Sequence, residues 1–250
     1  MIKKSIAVTR VANSCVLLEL DGHAVLTDPW FTERWWLRRG EPLGLRIADL
    51  PPLAAVVVTN LATNHWDLRA LRMLAGKDVT PVYVPTSGMA RRARALGFRH
   101  AQRVRWGETR EIAPGVSMRV VPAGRTLVWP NNAYSFSTAG SRVFFGGEIA
   151  EVAPLERHRA GNPPVDVALL PVNGLRPVLG PRLVMGPDQA VAGASVLGAR
   201  VLVPVHDAHG RDPLSALFRT TGTASDATAL AGPDLNVVDL PTGRRWEPTP

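Results

Sequence analysis

The chain has 250 residues, is 46% apolar and contains one cysteine, Cys15, so it can bury a sizeable core but excludes a disulfide framework. Its N-terminal apolar run is too short for a signal peptide, and no window reaches the roughly 18 apolar residues of a membrane helix. The net charge of +8 leaves anionic partners open. We therefore expect a cytoplasmic protein without a membrane partner.

The first fifty residues predict three strands followed by an irregular segment. The strands are expected at 5–10, 14–20 and 22–28, with a hairpin turn at Asp21-Gly22. Residues 31–50 form an insertion rich in aromatic residues and arginine.

Three tryptophans belong to this segment or border it, namely Trp30, Trp35 and Trp36. Aromatic residues here either pack the loop onto the sheet or wall a pocket for an apolar group. The sequence leaves both interpretations open.

The stretch 54–70 joins a buried strand to a polar loop. The run of apolar residues at 55–58 predicts the strand, and a helix is expected to begin near Trp66 and Asp67. Thr, Asn and His side chains lie between them. Strand ends on a rigid sheet commonly carry functional groups, so we expect a site here.

The rest of the chain predicts alternating strands and helices. Helices are expected at 68–74, 87–96, 187–198 and 212–218. Strands are expected at 82–84, 102–105, 109–112, 116–122, 133–138, 142–147, 166–170, 200–205 and 235–240. The Pro- and Arg-rich end, 241–250, predicts a frayed tail. Two successive halves of strands followed by helices suit a layered sandwich.

Five short motifs resemble those of the metallo-β-lactamase superfamily and occur in the same order. They are DPW at 28–30, TNLATNH at 59–65, PAGR at 122–125, FFGGE at 144–148 and VPVH at 203–206. The second motif is similar to the signature Ser/Thr-His-x-His-x-Asp-His. The resemblance implies an α+β fold, a four-layer αββα sandwich of metallo-β-lactamase type, with residues 1–250 as one domain. The most similar branch contains sugar-lactone hydrolases and N-acyl-phosphatidylethanolamine phospholipase D.

In that family two metals share a bridging water, and the resemblance implies that the first metal site is lost here. Its three histidine positions are occupied by Asn60, Ala62 and Arg125. The methyl group of Ala62 has no donor atom, and the guanidinium of Arg125 is a permanent cation that repels a metal.

The second metal site keeps three ligands, His65, Glu148 and His206, and has Asn64 where the family has an aspartate. Two histidines and a glutamate form a known catalytic zinc set. We therefore expect one zinc or another divalent metal if the site is active, and no metal if the site is inactive. In the metal-free alternative, Arg125 pairs with Glu148.

These assignments lead to two functional hypotheses. The first is a hydrolase-like protein that acts on a small anionic substrate with one metal or with acid–base residues. Its catalytic residues are then His65, Glu148, His206 and Asn64. Its substrate-binding residues are Arg125, Asn60, Trp30, Trp35 and Trp36, and Asp28 supports the loop by hydrogen bonds. The second hypothesis is a non-catalytic descendant that binds a ligand or another protein.

Other partners are less well supported by the sequence. All but three of the 29 basic residues are arginine, which a GC-rich coding sequence would also produce. The basic residues are not interleaved with aromatics as in proteins that bind single strands, which argues against nucleic acid. A homo-oligomer remains open.

Overall fold

The computed structural model describes residues 6–126, 129–207, 210 and 212–248, and the following statements concern these ranges. The strands are β1 (Ile6–Ala12), β2 (Cys15–Leu20), β3 (His23–Thr27), β4 (Leu53–Val57), β5 (Val82–Val84), β6 (Ala101–Arg103), β7 (Thr109–Ala113), β8 (Val116–Thr126), β9 (Trp129–Ser137), β10 (Arg142–Phe145), β11 (Val167–Pro171), β12 (Arg176–Pro177), β13 (Val201–Val205), β14 (Phe218–Arg219), β15 (Asn236–Val237) and β16 (Arg245–Trp246). The helices are α1 (Leu68–Met73), α2 (Ser87–Ala95), α3 (Ala153–Ala160), α4 (Pro187–Leu197) and α5 (Ala224–Leu230).

The strands form two large sheets and one small one. The first sheet has the order β16-β1-β2-β3-β4-β5-β6, and the second has the order β15-β13-β11-β10-β9-β8-β7. Each large sheet is antiparallel at one end and parallel at the other, over β3 to β6 in the first and over β10, β11, β13 and β15 in the second. β12 and β14 pair separately.

Strand β4 shows why the strands are apolar in continuous runs. Ala55 and Val57 belong to the core between the two sheets, whereas Val56 and Val58 belong to the core beneath the helices. Side chains alternate between the faces of a strand, and here both faces are buried.

The helices cover the two outer faces. α1 and α2 contribute to the apolar core on the first sheet, and α3, α4 and α5 to that on the second. The shared core between the sheets contains residues of both. The expected four-layer αββα sandwich is therefore confirmed. No helix in the described ranges is long and apolar enough to cross a membrane.

Two helices were not anticipated from the sequence. α3 has Pro154 in its first turn, and α5 begins with a capping box between Thr223 and Asp226. Both are recognised start signals for a helix. The helix expected at 212–218 is instead a single 3₁₀ turn at Ser215–Leu217, followed directly by β14.

The tail expected to fray is held by the first strand. β16 pairs antiparallel with β1, through Val8 with Trp246 and Thr9 with Arg245. The buried Arg10 side chain donates to the carbonyl of Leu240. The prediction of a frayed end over 241–250 is therefore wrong for the described part of the tail, because backbone pairing fixes it.

Candidate active site

Asp28 anchors the loop between β4 and α1. It follows β3, lies fully buried and accepts hydrogen bonds from the backbone N–H and the hydroxyl of Thr59, both at 2.7 Å. The same carboxylate lies 2.7 Å from Nδ1 of His65. The structure thus places Asp28 beneath the loop that presents His65, where it fixes the orientation of the imidazole.

His65 bridges two carboxylates. Its Nδ1 faces Asp28, and its Nε2 lies 2.9 Å from a carboxylate oxygen of Glu148. Burial alone lowers the pKa of the imidazole, but the negative charges of Glu148 and Asp28 outweigh it and raise the pKa to about 10. Without another cation, His65 is therefore the positive charge between the two acids.

Glu148 follows a tight turn at the end of β10. Gly147 has φ of +59°, and a Cβ there would collide with the Thr59 side chain, so only glycine permits this approach. Asn60 donates from Nδ2 to Glu148 at 3.0 Å. Burial raises the pKa of Glu148, but the positive charge of His65, the hydrogen bond from His65 and the nearby His206 hold this pKa well below its usual value.

His206 lies directly after β13 with a positive φ of 55°. Its side chain is 3% exposed, and its ring stacks on that of His65 with centroids 5.7 Å apart. The Nε2 atom lies 3.4 Å from Glu148, but neither ring nitrogen has a well-aligned hydrogen-bond partner among the described residues. Buried polar atoms are rarely left without a partner, and these two nitrogens retain the capacity to bind one.

The three side chains fit a divalent metal. One donor atom from each of His65, Glu148 and His206 can be chosen so that all lie within 4.8 Å of one another. Two imidazoles and a carboxylate suit zinc. Asp28 supplies the carboxylate that typically orients a ligating histidine from behind.

A cavity of about 200 Å³ lies in front of this group. Glu148, His206, Asn64 and Ala62 contribute to one side of it. Apolar side chains form most of the remaining wall, namely Trp30, Leu37, Leu175, Leu183, Leu214 and Phe218. The exposed Arg38 also lines this cavity. The site therefore opens into a small, mainly apolar space that contains one guanidinium.

Only one of the three predicted wall tryptophans lines this cavity. Trp30 does so, whereas Trp35 is 75% exposed and Trp36 is not among the lining residues. Arg34 and Leu37 exchange backbone hydrogen bonds across a tight turn. Trp35 and Trp36 lie at the tip of that turn, which directs Leu37 into the cavity in their place.

Arg125 does not occupy the floor of this cavity. It is exposed, and its guanidinium carbon lies 5.2 Å above the ring of Trp106. A register shift between Pro122 and Arg125, with Gly124 at φ +95°, carries β8 away from the histidines. Within the described ranges the ion-pair partners of Glu148 are histidines, so the predicted pair between Arg125 and Glu148 is wrong.

Most of the cavity wall has no recognisable signal in the sequence. Leu175 and Leu183 are joined by a backbone hydrogen bond in the segment after β11, and Phe218 lies in β14. No periodicity or motif marks these residues, because their positions depend on how distant loops pack. Arg38 follows the aromatic turn and had no distinguishing neighbour in the sequence.

The arrangement of strands and donors identifies the family. The β-lactamase superfamily domain matches residues 23–206, which include Asp28, His65, Glu148 and His206. The chain belongs to the metallo-β-lactamase superfamily. It thus shares the hydrolase-like fold of that family.

Similar proteins support this placement. An uncharacterised protein of Mycobacterium tuberculosis is 29% identical over 221 residues, which cover 80% of this chain. The match spans 58% of that relative's length. A metal-dependent hydrolase of Deinococcus radiodurans is 28% identical over 68% of this chain and 72% of its own. A metallo hydrolase of Ignicoccus hospitalis has the same fold, with a TM-score of 0.72, 17% identity and coverage of 98% and 99% of the two chains.

Proposed function

We propose that the protein is a metallo-β-lactamase-fold hydrolase that holds a single divalent metal through His65, Glu148 and His206. The observation that carries the proposal is His206, a buried imidazole without a hydrogen-bond partner among the described residues, in a group with two further metal-binding side chains. The first metal position is lost in this proposal, because Asn60, Ala62 and Arg125 replace the three histidines.

Each residue has a distinct task. A divalent metal held by His65, Glu148 and His206 would supply hydroxide at neutral pH, since such metals lower the pKa of water to about 7. Asp28 fixes His65 so that Nε2 faces the site, and Asn60 orients the carboxylate of Glu148. Asn64 lines the cavity beside these donors and offers an amide to a substrate oxygen.

The cavity favours a small substrate with a mainly apolar body. Its wall is formed largely by Leu and aromatic side chains, and its volume of about 200 Å³ admits only a small group. The anionic group expected on the substrate is received by Arg38, the guanidinium that lines this cavity, and not by Arg125.

One observation favours a second candidate, a metal-free protein that binds a ligand without catalysis. Asp28, His65 and Glu148 already form a continuous hydrogen-bonded chain in which opposite charges alternate. Such a chain pairs both ring nitrogens of His65 without a metal. In this candidate the cavity binds a small molecule beside His206, and no bond is broken.

Metal content of protein purified without a His tag or chelator tests the two candidates. We expect close to one equivalent of transition metal, lost in His206→Ala and retained in His100→Ala, since His100 is exposed and outside the site. Hydrolysis of small esters and lactones should be abolished by a chelator and restored by zinc. Two equivalents at these positions contradict the single-metal proposal. No metal together with no turnover leaves the non-catalytic candidate.

A further inference from the structure

A second cavity lies on the same edge of the sandwich, beside the loop that carries His65. It has a volume of about 470 Å³ and is lined by residues that follow β5 and β6 and by the paired ends of β8 and β9. Parallel strands present their carboxyl ends at one edge of a sheet, so β5 and β6 deliver these residues next to the end of β4. Neither Glu148 nor His206 lines this cavity.

Two arginines give this cavity a positive wall. Arg103 and Arg105 are exposed on either side of the buried Val104, so their side chains share one face of an extended segment. Neither side chain is paired with a carboxylate in the described part of the chain. The lining of the cavity contains no Asp or Glu.

Aromatic rings lie beside these charges. Trp106 donates from Nε1 to the Asn131 carbonyl at 3.2 Å and to Asn132 Oδ1 at 3.0 Å, and the guanidinium of Arg125 lies above its ring. Trp129 is 47% exposed and lines the same cavity. Exposed indoles beside arginines offer a stacking surface for planar rings and a counter-charge for phosphate.

The cavity continues into a neighbouring one of about 690 Å³. The two share Thr86, Ser87 and Trp129 in their linings, and the second adds Arg91 and Arg92 of α2. No carboxylate lines the second cavity. We call the two together the basic groove. It is positively charged along its length and has Trp129 at its middle, where both cavities meet.

We propose that the basic groove binds nucleoside phosphates, either as free nucleotides or as units of a single strand. The base stacks on Trp129, and the phosphate lies against Arg103 and Arg105. The sequence argued against nucleic acid because its arginines and aromatics are not interleaved. Folding nevertheless brings Trp129 into one cavity with Arg103 and Arg105, which are distant from it in the chain, and places Arg125 over the ring of Trp106. The proposal is independent of hydrolysis at His65, Glu148 and His206.

Binding of a labelled short oligothymidylate, measured by fluorescence anisotropy in the full chain, tests the proposal. AMP and inorganic phosphate serve as unlabelled competitors. The double variant Arg103→Ala/Arg105→Ala should weaken oligonucleotide binding at least tenfold and reduce the slope of log affinity against log salt by about 1.4. The charge-matched control, Arg99→Ala/Arg157→Ala, removes two exposed arginines elsewhere and should change affinity less than twofold.

The stacking partner is tested separately. Trp129→Ala should weaken binding of both oligothymidylate and AMP roughly tenfold, as loss of a base stack does. Trp129→Phe should restore most of the affinity, and Trp35→Ala, which removes an exposed indole far along the sequence, should have no effect. If AMP competes as effectively as unlabelled oligothymidylate at equal nucleotide concentration, the ligand is a free nucleotide. If oligothymidylate competes much more effectively than AMP, the ligand is a single strand.

Three results would overturn the proposal. One is the absence of binding by either nucleotide form at low salt. Another is an equal loss of affinity in the charge-matched control, which would show a diffuse attraction and no site. The last is competition by inorganic phosphate as effective as that by AMP, with Trp129→Ala unchanged, which would leave no role for the base.

Discussion

His65 and His206 follow parallel strands in opposite sheets and lie against the same carboxylate, yet their surroundings differ. Both ring nitrogens of His65 contact carboxylates within 2.9 Å, whereas neither ring nitrogen of His206 has a well-aligned partner among the described residues. A buried polar group without a partner costs about 1–3 kcal/mol. His65 therefore stabilises the folded protein, and His206 retains a binding capacity that a ligand recovers.

The largest effect is expected when the support of His65 is removed. Asp28→Ala takes away the acceptor for Thr59 and leaves His65 with one carboxylate, so we expect destabilisation by roughly 3–5 kcal/mol, as for a broken buried ion pair. Urea unfolding with chelator present measures it. His206→Ala, the comparison variant, should change the free energy of unfolding by less than about 1 kcal/mol under the same conditions. Equal effects of both variants would abolish the distinction between the two histidines.

When metal is added, His206 should also contribute to the stability of the folded protein. Added zinc at about a hundredfold excess over its dissociation constant should stabilise the wild-type protein by about 2.7 kcal/mol. His206→Ala should lose this stabilisation, while His100→Ala, at an exposed position, keeps it. Thermal unfolding with and without zinc provides the measurement. Unchanged zinc stabilisation in His206→Ala would mean that the metal binds elsewhere.

The shared carboxylate depends on a glycine that has no room for a side chain. Gly147→Ala forces a residue with positive φ against Thr59, and the backbone strain alone should cost roughly 1–3 kcal/mol. Gly161→Ala is the matched control, because nothing lies within 4 Å of its added Cβ and its φ is −113°. If the two alanine variants unfold at the same urea concentration, the turn adapts more readily than its geometry indicates.

The stability of chelator-treated protein should depend on pH through His65. Its folded pKa of about 10 exceeds the ordinary value of 6.5, so its contribution is complete below about pH 6.5 and is lost as pH rises towards 10. Glu148 has a lowered pKa, so its contribution is present above about pH 4.5 and is lost on acidification.

The free energy of unfolding, measured in urea across this range, should decrease as pH rises, by at most about 1.4 kcal/mol per pH unit. His65→Gln should remove the decline, and His206→Ala should keep it. A decline that persists in His65→Gln belongs to another group.

The smallest effect concerns Arg125. Since its guanidinium lies over Trp106, Arg125→Ala should cost no more than about 1 kcal/mol. The change should add to that of Glu148→Gln within about 0.5 kcal/mol, as expected for sites without a shared contact. A double-mutant cycle in urea checks this, and strong coupling would restore the pairing expected from the sequence.

The sequence predicted those parts of the molecule that depend on local patterns. The apolar run of β4 predicted a strand buried on both faces, and the motifs at its end and after β13 predicted where His65 and His206 would lie. The resemblance of these motifs to those of the metallo-β-lactamase superfamily implied that the two histidines share one site. The same resemblance implied that Glu148 lies with them.

Directions of side chains beyond irregular backbone could not be predicted. Arg125 turns away because a bulge changes the course of β8, and Trp35 points to solvent because the turn from Arg34 to Leu37 closes tightly. The contribution of Phe218 to the cavity depends on contact between segments far apart in the chain, for which the sequence holds no local pattern.

The pairing of β16 with β1 also covers part of the outer edge of the first sheet. All seven residues of β1 are buried, and β16 supplies the hydrogen-bond partner on its outer side. Removing Arg245 and the residues after it would leave β1 as an uncovered apolar edge, the kind of surface on which strands of separate molecules add to one another. A shortened chain of this kind should form oligomers that light scattering detects, even with the metal-binding side chains and the basic groove intact.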